Sequence, residues 1–307
     1  MNKILFQGTA YNMVMEHMER SGDFDMKIRH FHAEYEIYYL MKGERYYFIN
    51  NTTYPVKQGS LVFINQNQIH KTIGAPTEQT SHERVLFSLP VSFLDRINAL
   101  VPRFQSQQFF SEHFGVLLLS LKEQKIVNDI VSALEDELSN KALHYEQVAL
   151  MKMAELLLLA KRKAKKTDIA ETISAPNTAK HEKVNLIAQY ITKHYEQPIS
   201  LPLLAKECYV SKYYLCRIFK EVTGLTVIEY TNLIRIQKAQ QLLKKTDKSI
   251  TEIAHICGFD NITYFQRVFK SYIGSTPLNY RKQTIPPLLV PTKKEMEDND
   301  IMKGPVI

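Results

Sequence analysis

The sequence predicts an α+β protein with two domains: an N-terminal β-barrel carrying a helical hairpin and a C-terminal domain built only of helices. Three observations predict this. Short strands rich in aromatic and β-branched residues come first, helical periodicity replaces them after about residue 91, and one helix-turn-helix pattern is then written twice. With 307 residues, 45% of them hydrophobic, the chain is long enough to bury two ordinary cores.

The predicted strands lie between Asp25 and Leu89. They include Ile37–Met41, Tyr46–Ile49 and Leu61–Ile64, which are short and rich in aromatic and β-branched side chains. Turn signals separate them at Lys42-Gly43, Asn50-Asn51 and Gln58-Gly59. Many short strands at close, regular spacing are typical of a small barrel or sandwich.

The pattern becomes helical after Val91. From Glu123 to Leu138, apolar residues recur about every four positions, which predicts one stripe on a helix. Tyr145–Ala160 is apolar around much of its circumference and predicts a second helix. Two such helices in succession predict a hairpin, which packs on the barrel, against a second subunit, or against both.

The helix-turn-helix pattern occupies Leu204–Gly224 and again Ile253–Gly274. Arg217 and Arg267, Phe219 and Phe269, Gly224 and Gly274, and Tyr230 and Tyr280 are each 50 positions apart, whereas Ala205 and Ala254 are 49 apart. One residue is therefore inserted near the turn. Two reading helices held on one chain suit successive major-groove faces of DNA. The repeat predicts a DNA-binding transcription regulator.

The positive charge of the chain lies on the same segment. Residues 181–283 hold 15 Lys and Arg against 8 Asp and Glu, a surplus of seven, and this equals the formal net charge of +7 for the whole chain. The remainder therefore sums to zero. A basic surplus confined to the repeat is expected of a domain that meets phosphates.

Each copy is predicted to hold a positioning helix and a capped reading helix. In the first copy, the positioning helix is Leu201–Cys208, the N-cap is Ser211 and the reading helix is Lys212–Val222. The corresponding assignments in the second copy are Thr251–Cys257, Asp260 and Asn261–Tyr272. Thr226–Leu243 between them predicts one helix of about 27 Å, long enough to act as a ruler between the copies.

The reading helices are predicted to be amphipathic. Leu215, Ile218, Phe219, Val222, Phe265, Val268 and Phe269 should face the core. The candidate DNA-binding residues on and around the opposite face are Ser211, Lys212, Tyr213, Cys216, Arg217, Lys220, Asn261, Ile262, Thr263, Gln266, Arg267 and Lys270. Arg217 and Arg267 are predicted to contact bases or phosphates, because a guanidinium can bond bidentately to guanine. Lys220 and Lys270 are predicted to contact phosphates.

These residues resemble the AraC/XylS family of bacterial transcription regulators over about Lys183–Gln283. The resemblance is carried by the cores RIFK and RVFK (217–220 and 267–270), by Gly258-Phe259 and by the closing Thr276–Arg281. It implies that both helix-turn-helix units sit on one monomer and grip adjacent major-groove segments of double-stranded DNA. It also implies activation more often than repression, with RNA polymerase as a partner, and base or backbone reading by Tyr213, Cys216, Arg217, Asn261, Ile262, Thr263 and Arg267.

The chain departs from the family at the first turn, where Tyr209 stands in place of the usual glycine, although Gly258 keeps it in the second copy. A left-handed residue other than glycine costs about 1 kcal/mol. We therefore expect the first turn to be shaped differently.

Two histidine motifs in the N-terminal half resemble those of cupin barrels. His30-x-His32-x3-Glu36 with Gly43 is similar to the first cupin motif, and Gly59-x10-His70 to the second, but Asn65 and Asn67 stand where the enzyme motif has Pro and Gly. The set could hold a divalent metal or form a barrel mouth without one. We predict a cupin-like barrel with no metal and no cofactor, whose small-molecule effector contacts His30, His32, Glu36, Tyr39 and His70.

The predicted organisation has a cupin-like effector-binding and dimerisation domain at 1–165, a linker at 166–182, the DNA-binding domain at 183–283 and a flexible tail at 284–307. The basic cluster that begins the segment Lys161–Lys180 either touches flanking DNA or is solvated. The leading hypothesis is a homodimeric regulator controlled by an effector in the barrel. A metal-dependent cupin enzyme fused to a DNA-binding domain, and a barrel that only dimerises, are the alternatives.

The cellular compartment follows from what the sequence lacks. Cys208, Cys216 and Cys257 have no metal-ligand spacing and suggest no disulfide framework. The N-terminus has no long apolar run, and no stretch reaches the roughly 18 apolar residues of a membrane span. We expect a reduced, cytoplasmic protein with no membrane partner and no catalytic residues.

Overall fold

The computed structural model describes residues 2–21, 34–66, 68–74, 81–164 and 179–284. The chain divides into two compact units. Unit 1 comprises Met1–Thr192 with Ser200–Val227, and unit 2 comprises Lys193–Ile199 with Ile228–Ile307. The predicted domain boundaries follow the sequence pattern rather than this division, and they stay a prediction. Most of the predicted linker and nearly all of the predicted tail lie outside the described residues.

Unit 1 contains two antiparallel sheets. The strands are β1 (Asn2–Ala10), β2 (Met13–Arg20), β3 (Tyr35–Lys42), β4 (Glu44–Ile49), β5 (Thr52–Lys57), β6 (Ser60–Ile64), β7 (His70–Gly74), β8 (His82–Leu89) and β9 (Gly115–Leu118). Six of them form a sheet in the order β1-β2-β8-β3-β6-β9, and three form a sheet in the order β5-β4-β7. The predicted β-rich N-terminal domain is confirmed.

The three named strands and their turns are confirmed. Gly43, Asn50 and Gly59 all have positive φ, at 90°, 53° and 82°, as the predicted turns require. The sequence interpretation missed β1, β2 and β9. Buried and half-buried side chains alternate from Met13 to His17 of β2, but the residue types Met-Val-Met-Glu-His do not alternate between apolar and polar, so the sequence carried no clear period of two there.

Strand β3 separates two hydrophobic cores. Ile37 and Tyr39 belong to the core that the six-stranded sheet shares with the helices following it. Tyr38 and Leu40 belong to the core that also contains Tyr47 of the three-stranded sheet. Because successive side chains of a strand point to opposite faces, adjacent tyrosines serve different cores.

The helices of the N-terminal half of unit 1 are α1 (Val91–Leu100), α2 (Ser106–Glu112), α3 (Leu121–Asn140) and α4 (Tyr145–Ala164). A capping box joins Ser120 and Glu123 at the start of α3. The predicted hairpin is confirmed: α3 and α4 are joined by a short loop, and their inner faces, with Leu134 and Leu157, are part of the first core. Of the predicted basic cluster, Lys163 lies 2.8 Å from the Glu123 carboxylate.

Three more helices complete unit 1. They are α5 (Ala179–His194), which ends near the unit boundary, α6 (Leu201–Glu207) and α7 (Lys212–Thr223). Ser200 caps α6 and Ser211 caps α7, and the Ser211 hydroxyl accepts a hydrogen bond from the backbone N–H of Tyr214 at 3.2 Å. The predicted positioning helix, cap and reading helix of the first copy are therefore confirmed.

Unit 2 contains α8 (Val227–Lys245) apart from its first residue, and α9 (Ile250–Ile256), α10 (Ile262–Ile273) and α11 (Pro277–Thr284). The predicted long helix is confirmed as α8, whose 19 residues span about 28 Å. Ile236 and Leu243 of α8 pack in one core with Phe265 and Phe269 of α10. No helix within the described ranges is both long and apolar enough to cross a membrane.

The predicted cap of the second reading helix is wrong by one residue. Asn261, not Asp260, is the N-cap: its backbone is extended and its Oδ1 accepts from the N–H of Tyr264 at 2.9 Å. Ser211 and Asn261 are 50 positions apart, so Asp260 is the residue inserted in the second copy. The helix accordingly begins at Ile262.

Candidate DNA interface and sensor barrel

The first reading helix is amphipathic, with an apolar face in the core and a polar face toward solvent. Leu215, Ile218, Phe219 and Val222 are buried, as predicted. Of the remaining candidates, Ser211, Lys212, Tyr213, Arg217 and Lys220 are exposed, and Cys216 is half-buried. Tyr213 is 87% exposed, which is unusual for so large a ring and leaves it available to a partner.

The second reading helix repeats the arrangement. Phe265, Val268 and Phe269 are buried. Asn261, Thr263, Gln266, Arg267 and Lys270 are exposed, and Ile262 is half-buried. Each helix therefore offers its N-terminal turn and one face to solvent, which is the part of a reading helix that reaches base edges.

A tyrosine lies beside the key arginine in both copies. The Arg217 guanidinium carbon lies 5.4 Å from the ring centre of Tyr214, and that of Arg267 lies 5.3 Å from the ring centre of Tyr264. The pairs are three residues apart on their helices, so the side chains are neighbours. A cation–π contact of this kind holds a guanidinium in place at a strength of about 0.5–1 kcal/mol.

The sequence interpretation missed both tyrosines. Tyr214 and Tyr264 are 50 positions apart, so the repeat itself carried the signal. Tyr264 is held in turn, because its hydroxyl accepts a hydrogen bond from Asn232 Nδ2 at 2.8 Å. The Lys183 ammonium lies 6.0 Å from the Tyr214 ring centre.

The expectation that the first turn is shaped differently is wrong, because in both copies the turn residue has positive φ and its N–H donates to the carbonyl three residues before it. Tyr209 adopts φ 52° and is 93% exposed, whereas Gly258 adopts φ 82°. A Cβ on Gly258 would lie 2.6 Å from the carbonyl oxygen of Glu196 and 2.8 Å from that of Tyr195. Glycine is therefore required at the second turn by both its φ and its neighbours.

The thiols near the turns are not activated. Cys257 is fully buried, and burial raises its pKa to about 12. Burial also raises the pKa of Cys208. Thiols of this kind behave as small apolar side chains.

The structure brings Glu36 and His70 together in the barrel but places Tyr39 elsewhere. Glu36 Oε2 lies 3.5 Å from His70 Nε2, and Glu36 Oε1 accepts a hydrogen bond from the Tyr47 hydroxyl at 2.9 Å. Tyr39 instead donates to Asn128 of α3 at 2.9 Å, on the opposite face of β3. His30 and His32 lie outside the described residues.

The described residues hold no metal-binding cluster. No group of three or more His, Cys, Asp or Glu side chains within the described ranges has an arrangement that could hold a metal ion. Burial, followed by the nearby Glu36 charge, raises the pKa of Tyr47 well above its usual range, so Tyr47 stays a neutral hydrogen-bond donor.

The three-stranded sheet packs directly on α5 and α7 within unit 1. The backbone N–H and the hydroxyl of Thr53 both donate to Asn185 Oδ1 at 3.0 Å, and the rings of Tyr46 and His181 lie 4.5 Å apart. Lys71 of β7 donates to the backbone carbonyl of Glu221, in the last turn of α7, at 2.5 Å. The barrel therefore touches the C-terminal end of the first reading helix.

Comparisons with known proteins agree with this architecture. Residues 17–152 match the family described as the AraC-like ligand binding domain, and residues 204–283 match a helix-turn-helix domain family. The chain is similar to the HTH-type transcriptional activator RhaS of Citrobacter koseri, with 27% identity over 258 residues that cover 82% of this chain and 87% of that protein. The chain belongs to the AraC/XylS family of transcription regulators.

Two solved structures illustrate the similarity. An AraC-type transcriptional regulator from Chromobacterium violaceum is 29% identical, covers 36% of this regulator and 100% of its own chain, and has a TM-score of 0.34. ToxT from Vibrio cholerae is 14% identical, covers 88% of this regulator and 98% of its own chain, and has a TM-score of 0.36. Both TM-scores are low.

The family assignment favours the leading hypothesis among the functions that the sequence left open. This regulator combines a ligand-binding domain with a DNA-binding domain, and its matches are to transcription regulators. They give no support to the alternative of a metal-dependent cupin enzyme.

Proposed function

We propose that this regulator binds promoter DNA through α7 and α10 and activates transcription there with RNA polymerase. The observation that carries this proposal is the repeated surface: at equivalent positions, each reading helix has an exposed arginine stacked on a tyrosine. The proposed contacts are those predicted, namely Ser211, Lys212, Tyr213, Cys216, Arg217, Lys220, Asn261, Ile262, Thr263, Gln266, Arg267 and Lys270. The regulator acts as a cytoplasmic protein without catalytic activity.

A small molecule in the barrel controls this activity, with Glu36 and His70 among its contacts and His30 and His32 close in sequence to Glu36. Strand β7 supports such control, because His70 and Thr72 share the face of Ile49 and Tyr47. This face points toward the core that contains Tyr38, Leu40 and Tyr47, the inner core of the barrel, while Lys71 between His70 and Thr72 bonds to α7. A ligand that displaces β7 therefore acts on the end of the first reading helix. The ligand must bind one arrangement better than the other for this to switch anything.

The regulator acts as a homodimer through the outer face of the α3–α4 hairpin. A groove of about 850 Å³ runs along this hairpin and α1, lined by apolar residues such as Leu158 and by charged ones such as Arg162. Met151, which lines the groove, is 51% exposed, and Leu121, next to the lining residue Lys122 in sequence, is 84% exposed. Apolar surface of this kind commonly marks an interface.

The experiment that tests the proposal is recovery of genomic DNA fragments by purified protein, followed by sequencing. We expect a sharp set of promoter fragments sharing one motif. The doubly substituted Arg217→Ala/Arg267→Ala protein should lose the motif and retain only salt-sensitive, diffuse recovery. Lys57→Ala, which removes one positive charge from an exposed site on β5, should recover the same fragments as the wild type. Diffuse recovery by the wild-type protein would contradict the proposal.

A further inference from the structure

Three arginines from three different strands share the interior between the two sheets of the barrel. Arg20 lies on β2, Arg45 on β4 and Arg84 on β8. The strand register places Arg84 opposite Leu40, so it shares the inner face of β3. Arg45 and Tyr47 are two residues apart on β4, so their side chains share one face, and Tyr47 is part of the inner core. Nothing in the sequence pattern had pointed to these residues.

Arg45 and Arg84 are buried and Arg20 is half-buried, and their three charges lie close enough together to repel one another. Arg45 is 3% and Arg84 is 6% exposed. Burial, and then the charge of Arg84, lower the pKa of Arg20 to about 10. Burial, and then the charges of Arg45, Arg20 and Arg84, lower the pKa of His82 to about 3. All three guanidiniums therefore act on one place, where the potential favours a negative charge.

Two carboxylates of the barrel are already engaged. Glu16 Oε1 accepts from Arg84 Nη2 at 2.5 Å, and Glu36 Oε1 accepts from the Tyr47 hydroxyl. The charges that act most strongly on the Tyr38 hydroxyl are those of the three guanidiniums and of Glu36, so three of these four charges are positive.

Two donors in this cluster have no hydrogen-bond partner among the described residues. They are Nη1 of Arg84 and the hydroxyl of Tyr38, which is 1% exposed. The guanidinium carbon of Arg84 lies 5.9 Å from the Tyr38 ring centre, so the two donors belong to one site. Buried donors are nearly always bonded in folded proteins, and exceptions require an explanation such as a ligand.

We propose that Arg20, Arg45, Arg84 and Tyr38 bind the acidic group of a small organic anion, a carboxylate or a phosphate ester, and that this anion is the effector. The planar guanidinium fork matches two oxygens of either group, and Tyr38 donates to a third or to the same oxygen. The body of the ligand lies against the inner core around Tyr47. The inference rests on the proposed control by an effector in the barrel.

The first test is calorimetric titration of the full chain at fixed chloride with D-gluconate, glucose 6-phosphate and inorganic phosphate, and with glucose and galactose as neutral probes. We expect gluconate or glucose 6-phosphate to bind and the neutral sugars to give no heat of binding. The gluconate and glucose 6-phosphate arms distinguish a carboxylate from a phosphate ester. Binding of a neutral sugar alone, or of no anion at millimolar concentration, would overturn the inference.

Substitutions then locate the site. Arg84→Gln should raise the Kd of the bound anion at least tenfold. Because Arg84→Gln leaves Glu16 without its partner and can unfold the barrel, Tyr38→Phe is the second variant: it removes only an unbonded hydroxyl, so the fold is retained while the Kd rises several-fold. Tyr35→Phe is the matched control on the opposite face of β3 and should bind as the wild type does. Equal Kd values for Tyr38→Phe and wild type would place the anion elsewhere.

A spectroscopic readout and DNA binding separate this inference from the proposed function. A bound anion stabilises the imidazolium of His82, so NMR titration should show a higher His82 pKa in the anion complex than in the free protein. Promoter affinity is measured on the same samples. Anion binding that depends on Arg84 but leaves promoter affinity unchanged would confirm the anion site and contradict effector control. A neutral sugar that changes promoter affinity would confirm effector control and contradict the anion site.

Discussion

Tyr209 and Gly258 occupy the same turn in the two repeats, and both have positive φ. A side chain in this region of φ is disfavoured, but the exposed Tyr209 ring meets no crowding that would forbid it. In the second copy the backbone carbonyls of residues 195 and 196 approach so closely that only glycine fits. The same backbone shape thus imposes two different sequence requirements.

Opposite substitutions at the two turns should have opposite effects. Tyr209→Gly should stabilise the protein by under about 1 kcal/mol, because the strain that is relieved exceeds the added freedom of the unfolded chain. Gly258→Ala should destabilise it by about 1–3 kcal/mol, because the new methyl group meets two carbonyl oxygens. Urea denaturation measures both. A destabilised Tyr209→Gly would show that the Tyr209 ring makes a favourable contact.

Tyr264 is expected to position Arg267 rather than to read DNA itself. Tyr264→Leu should weaken specific promoter binding by about 0.5–1 kcal/mol, because the guanidinium loses the ring on which it rests. Tyr264→Phe keeps the ring and loses only the hydrogen bond from Asn232, so its promoter affinity should stay near the wild-type value. Fluorescence anisotropy with specific and scrambled DNA measures the difference. Equal losses for Leu and Phe would mean that the hydroxyl, not the stacking, matters.

At the scale of elements, the reading helices are defined by their caps. Ser211 and Asn261 start α7 and α10, and a glycine with positive φ, Gly224 or Gly274, ends each of them. The side chains of Ser211 and Asn261 each accept a hydrogen bond from a backbone N–H that the helix leaves without a partner, whereas the N–H of each glycine donates to a carbonyl of the last turn. Because the residue inserted in the second copy precedes the cap, both reading helices have the same length.

The one-residue correction at the second cap can be tested by stability. Asn261→Ala should cost about 1 kcal/mol of unfolding free energy, because the N–H of Tyr264 loses its acceptor. Asp260→Ala removes no cap and should cost clearly less. Thermal unfolding in the absence of DNA measures both, so that any role of Asn261 in binding does not enter. A larger effect at Asp260 would restore the original assignment.

At the scale of the whole molecule, buried neutral histidines make the fold sensitive to mild acid. Burial lowers the pKa of His82 to about 3 and that of His181 to about 4, from 6.5 in an ordinary environment. The unfolded chain therefore takes up a proton at each histidine near pH 6.5, while the folded chain does not. Stability is retained above that pH and falls as the pH drops from 6.5 toward the folded values.

The expected loss between pH 7.5 and pH 5.5 is about 1.4 kcal/mol for each of these histidines. Burial raises the pKa values of Glu83 and Glu123, but their hydrogen bonds and charge partners lower them by more. Their contribution to the stability of the fold is therefore lost only below about pH 4.5, outside this window. His181→Gln should therefore remove about 1.4 kcal/mol from the loss of unfolding free energy between pH 7.5 and pH 5.5. An unchanged loss would show that His181 takes up its proton in the folded state as well.

The repeat was readable from the sequence because each copy buries one helical face, and burial demands apolar residues at a period that survives in the chain. That local requirement determined the reading helices, the long α8 and the family. The barrel interior was decided only in three dimensions. Tyr38 and Tyr39 are alike in sequence, yet the pleat of β3 sends them to different cores, and Arg20, Arg45 and Arg84 meet only because the pairing of distant strands sets their register. Sequence spacing carries no record of which strands pair, so it grouped Tyr39 with Glu36, whose side chain lies on the other face of β3, and it did not point to the three arginines.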